Sequence, residues 1–165
     1  MLAEPQERFL VVGLGNLLLR DDGVGVHVVR ALAEAPPPDT LVVEVGTAVL
    51  DALHLFEAAE RILAIDAMKA GGPPGTVYRC GIDAVADTAP VSLHELDIRA
   101  AVRMMGSGRE PNLQVIGVEP MEIDYGMELS EPVAHVVPGV MELVRRTIGA
   151  WAMEPGSADE MAVSV

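Results

Sequence analysis

The stretch RFLVVGLGNLLLRDDGVG, residues 8–25, decides the fold. Its first part, Arg8 to Gly13, is a short continuous apolar run that leads into Gly-Leu-Gly-Asn, the pattern of a buried parallel strand that runs into a tight loop. After Asp21-Asp22-Gly23, residues Val24 to Glu34 carry Val24, Val28, Ala31 and Leu32 on one face and are stopped by Pro36-Pro37-Pro38, which predicts the first helix. A second strand is expected over about Leu41 to Val45, a helix over about Ala48 to Ala58, and a third buried strand over Arg61 to Ile65, ending at Asp66. Such alternation implies right-handed crossovers and a mainly parallel sheet.

Further along, Thr76 to Cys80 reads as a short added strand, antiparallel at an edge. A helix is expected from Ser92 to about Met105, with Leu93, Leu96, Ala100 and Met104 as its apolar stripe. Leu113 to Val118 reads as a strand and Glu131 to Trp151 as a closing helix that contains Pro132 and Pro138. The fold class is therefore α/β, a three-layer α/β/α sandwich whose twisted sheet has about five strands. Residues 1–151 are expected to form one domain, and 152–165, small, polar and acidic, a disordered tail.

Composition narrows the partners. Half the residues are hydrophobic but only 3% are aromatic, so Val, Leu, Ile, Ala and Met must build the core. The net charge of −14 repels phosphate backbones and argues against nucleic acid. No apolar stretch reaches the roughly 18 residues that span a bilayer, and the acidic, polar opening MLAEPQER is unlike a signal peptide; a cytoplasmic protein is expected. The single cysteine, Cys80, excludes an internal disulfide and a cysteine-cluster metal site.

Three residues stand out for chemistry. Gly13-Leu-Gly-Asn is a weak match to a dinucleotide fingerprint, because Leu18 replaces the third glycine and Asp21 and Asp22 occupy the helix start that a pyrophosphate would need. One of these aspartates can cap the helix and the other can favour its dipole, yet one cap explains one aspartate only. Asp66 closes an apolar strand, where open α/β sheets place ligands. Ser92 and Glu95 make a capping box, which leaves His94 in the first helical turn, where the dipole favours the neutral, metal-binding imidazole. His27 and His54 fall within helices and His135 in a Pro-interrupted region, so none of them stands out as functional. If the first and third strands are neighbours, Asp22 and Asp66 flank the switch point and His94 arrives from a later connection. Two carboxylates and one imidazole suit a borderline divalent cation such as nickel or zinc, bound weakly unless further ligands come from elsewhere.

The order Gly13-Leu-Gly-Asn-Leu-Leu-Leu-Arg-Asp-Asp22-Gly-Val-Gly25, Ile65-Asp66-Ala67, Pro74-Gly75-Thr76, Ser92-Leu-His94-Glu-Leu96 and Ile116-Gly-Val-Glu-Pro120 resembles the hydrogenase maturation endopeptidases over about residues 8–150. The resemblance implies that Asp22, Asp66 and His94 are ligands to nickel already inserted in a hydrogenase large-subunit precursor, whose thiolates hold the metal from the other side. It implies an endopeptidase that removes the precursor's C-terminal extension, with Asp22, Asp66 and His94 also the catalytic residues. It places Gly15, Asn16, Glu44, Gly46 and Thr47 along the substrate cleft of a monomer. The chain departs from the family's Asp-Gly-Gly-Thr at Glu44-Val45-Gly46-Thr47. Metal can polarise the scissile carbonyl or activate a water, with Asp22 or Asp66 as base. The rival readings are a self-contained small-molecule metallohydrolase and a non-enzymatic nickel-sensing assembly factor. A serine hydrolase built on Ser92 and His94 is the weakest, because the capping box occupies Ser92.

Overall fold

Strand β1 (Phe9–Leu14) is buried along its whole length, as an apolar run at the centre of a sheet must be. The computed structural model describes residues 7–82, 93–105 and 112–154, without the side chains of residues 93–97 and 99. Around β1 are set α1 (Val24–Ala33), β2 (Thr40–Gly46), α2 (Leu53–Ala58), β3 (Arg61–Ala67), β4 (Val77–Gly81), α3 (Leu93–Met104), β5 (Asn112–Val118) and α4 (Glu131–Met153). The five strands form one sheet in the order β2-β1-β3-β5-β4. All pairings are parallel except β4 with β5, so the edge strand is antiparallel as expected. Because β1 pairs with both β2 and β3, the chain reverses direction across the sheet between β1 and β3.

Alternation along the strands sorts the core into two layers. Phe9, Val11, Leu63, Ile65 and Ile116 pack against α1 and α4. Leu10, Val12, Ile62, Ala64 and Leu113 face the opposite way, toward α2 and toward Ile98 and Ala101 of α3. The three-layer sandwich read from the sequence is therefore the observed architecture. Helix α1 seats tightly on β1 and β3: a β-carbon on Gly25 would lie 2.5 Å from the Leu14 carbonyl oxygen and closer still to that of Ile65, so only glycine lets the helix seat there.

Three local expectations are corrected. Neither Asp21 nor Asp22 caps α1; both lie in a 3-10 turn (Arg20–Gly23), and Gly23 stands at the N-cap with no side-chain bond. The second helical segment is split into a 3-10 turn (Leu50–Ala52) and a short α2. Helix α4 runs to Met153, past Trp151, and tolerates Pro138 on an exposed face, while Pro132 sits in its first turn, where no amide hydrogen is needed. At the amino edge of the sheet Trp151 packs on Phe9 with ring centroids 5.9 Å apart. The Arg61 guanidinium lies 5.6 Å from the indole centroid and pairs with Glu154. Ser92 and residues 155–165 lie outside the described residues.

Candidate functional site

The carboxyl edge of the sheet, at the reversal between β1 and β3, gathers the acidic residues. Asp66 is the sixth residue of β3 and is only 2% exposed. It shares the strand face of Ile62 and Ala64, the α2 and α3 side, and its Oδ1 accepts a hydrogen bond of 2.8 Å from the Ala67 N–H. Asp22, 6% exposed, accepts at Oδ2 a bond of 2.8 Å from the Asn16 N–H.

The Gly15–Asn16 backbone is the common neighbour of the two carboxylates. Gly15 has φ of +110°, and a β-carbon there would lie 3.4 Å from Asp66 Oδ1 and would overlap the Asp22 carbonyl oxygen. The strained conformation and the crowding both demand glycine. Gly15 also donates to the Gly46 carbonyl at 3.0 Å, which ties the end of β1 to the end of β2. The Asn16 side chain accepts from Leu18 N–H at 2.9 Å and closes a local turn. Thus Gly15 and Asn16 adjoin the two aspartates and Gly46 is bonded to Gly15, with Thr47 exposed just beyond the positive-φ Gly46.

Glu44 lies elsewhere. It is exposed and forms a two-pronged ion pair with Arg30 of α1, both contacts at 2.8 Å, and this partner lowers its carboxyl pKa. By alternation it faces the α1 layer with Val42, opposite to the face of Asp66.

His94 is placed by its backbone alone, in the first turn of α3. A helix that leads into a parallel strand runs antiparallel to it, so this turn belongs to the carboxyl edge, on the layer toward which Asp66 faces. Its side chain lies outside the described residues. Among the described residues no three His, Cys, Asp or Glu side chains converge on a metal position.

Asp21 has a role that sequence reasoning missed. It is fully buried and accepts four hydrogen bonds: from the N–H groups of Met121 (3.0 Å), Glu122 (2.8 Å) and Ser130 (2.7 Å), and from the Ser130 hydroxyl (2.7 Å). Burial pushes its carboxyl up, but the four donors outweigh burial and hold it below its ordinary 3.8. Next to it Arg20, at φ of +48°, pairs with Glu122 at 2.6 Å and donates to the Glu128 carbonyl at 3.2 Å. The loop after β5 is thereby fastened to the turn that carries Asp22. Glu119 fastens the other flank, accepting from the Ala70 N–H and the Tyr78 hydroxyl at 2.8 and 2.9 Å.

The chain is similar to known proteins along most of its length. Residues 26–147 match the family model described as hydrogenase maturation protease, HycI. The hydrogenase expression/formation protein HupD of Rhodobacter capsulatus is 34% identical over 163 residues, covering 93% of this chain and 77% of that protein. The HupD of Rhizobium leguminosarum bv. viciae is 30% identical over 90% of this chain and 78% of its own length. The hydrogenase maturating endopeptidase HybD from E. coli superposes with a TM-score of 0.79 at 25% identity, covering 87% of this chain and 93% of that one. The [NiFe] hydrogenase maturation protease HybD from Thermococcus kodakarensis superposes with a TM-score of 0.74 at 30% identity, covering 85% and 98%.

Proposed function

Since the chain belongs to the hydrogenase maturation protease family, we propose that it cuts the C-terminal extension from the large-subunit precursor of a nickel-iron hydrogenase, and that nickel carried by the precursor directs the cut. The observation that carries this reading is the presence of two buried carboxylates at the switch point of the sheet, Asp22 bonded by the Asn16 N–H and Asp66 with Oδ1 beside Gly15. Two carboxylates with a histidine from the first turn of α3 offer oxygen and nitrogen donors, a set suited to a borderline cation. Nickel enters as part of the substrate, with the precursor's own ligands completing its surroundings.

In the reaction a water adds across one peptide bond: its oxygen joins the carbonyl carbon, the C–N bond breaks, and the departing amine takes a proton. A carboxylate at the site, Asp22 or Asp66, accepts the proton that the water gives up. Gly15 and Asn16, with Gly46 and Thr47 beside them, form the rim over which the extended tail lies. Among the described residues no helix is long and apolar enough to cross a membrane. We assign the work to a monomer in the cytoplasm acting on the precursor alone.

The test is to incubate the protein with precursor, with and without nickel, and to weigh the products. Loss of the extension only from the loaded precursor is expected. Equal cleavage of both forms would remove nickel from the proposal, and no cleavage of either would remove the activity.

A further inference from the structure

The loop between β5 and α4 carries Met121, Ile123, Tyr125 and Met127 outward, with Tyr125 88% exposed, and Leu18 from the β1 loop joins them. Large apolar side chains grouped on a surface mark a site where another molecule sits. Here the group is also held in place. Gly126 donates to the Leu18 carbonyl at 2.9 Å and accepts from the Arg20 N–H at 2.8 Å, while the buried Asp21 grips both ends of the loop. Such anchoring lowers the ordering cost of binding, which a preformed docking face requires.

We propose that this loop and Leu18 form the face that docks the folded body of the large-subunit precursor, through an apolar patch on the precursor ringed by basic residues. The inference rests on the proposed function and names the surface by which the same substrate is held. Continuity supports it, because Leu18 stands in the loop that carries Asn16 and leads to Asp22. Charge supports the choice of occupant: Asp124 and Glu128 lie beside the apolar residues, both exposed, Glu122 pairs with Arg20, and the chain as a whole is at −14. An acidic, apolar face selects a partner of the opposite charge.

The experiment uses the full-length protein and purified, nickel-loaded large-subunit precursors of nickel-iron hydrogenases. The combined variant Met121→Ser, Tyr125→Ser, Met127→Ser is expected to raise KM by about tenfold or more with kcat within about threefold, the signature of lost uniform binding. Tyr125→Lys alone should raise KM in the same sense, more steeply at low salt. Melting curves confirm folding, and if the triple variant unfolds, Tyr125→Lys carries the test. Unchanged KM in a folded variant overturns the proposal. Should light scattering show a wild-type dimer that the variants lose while KM stays put, the face belongs to a second copy and the proposal is equally overturned. Asp66→Asn is run alongside. A wild type that cuts while Asp66→Asn does not leaves the site reading intact whatever the docking variants do, and a wild type that cuts no precursor overturns both.

Discussion

Asp66→Asn is the sharpest test at the scale of one residue. Asparagine keeps an oxygen to accept from the Ala67 N–H but drops the charge, so the fold should stand while cleavage falls by at least about a hundredfold. Mass spectrometry of the precursor beside a thermal melt of the variant reads both outcomes. Asp21 should behave in the opposite way, as a residue of stability. Asp21→Ala strands three buried or half-buried N–H groups and should cost about 3 kcal/mol in urea unfolding at neutral pH. Because its folded pKa lies below the ordinary value, its charged form stabilises the protein above about pH 4, and that share is lost as pH falls through the lowered folded value. Asp21→Asn should therefore flatten the acid limb of the stability profile. An unchanged acid limb would mean that the four donors do not depend on the charge. Of these two neighbours the sequence exposes Asp22 more readily than Asp21, since the donors that explain Asp21 lie about a hundred residues away along the chain.

At the scale of elements, the apolar runs at Arg8–Gly13 and Arg61–Ile65 were enough to read β1 and β3 as buried strands and to put Asp66 at the carboxyl end of the second. The helix starting at Val24 was equally legible, but its cap was not. A pair of aspartates before a helix fits a cap locally, and only tertiary contacts show both turned to other work. The α1 and β1 contact gives a paired prediction. Gly25→Ala drives a methyl into the carbonyl oxygens of Leu14 and Ile65, both backbone atoms that cannot step aside, and should cost about 3 kcal/mol or leave the chain unfolded. Gly149→Ala, in the exposed interior of α4 with open space around it, should instead add about 0.5–1 kcal/mol. Chemical denaturation of the two variants checks the contrast; a harmless Gly25→Ala would show that α1 can ride away from the sheet.

Across the whole molecule the parallel sheet was legible because alternating strands and helices leave few topologies, whereas the order β2-β1-β3, which the sequence offered only as a condition, is what makes Asp22 and Asp66 neighbours at the carboxyl edge. The surface loop after β5 was not legible, since an exposed run of Met, Ile and Tyr carries no periodicity to read. The packing of Trp151 has a spectroscopic consequence. It is the only tryptophan, 3% exposed, against the first residues of β1 and β3, and β3 alone carries Asp66 roughly 16 Å away at the other end of the sheet. A fluorine label on that indole should therefore give one sharp resonance that vanishes on unfolding yet keeps its shift when precursor is added. Should the resonance move on docking instead, the two ends of the sheet would be mechanically linked, and the indole would become a remote gauge of substrate arrival.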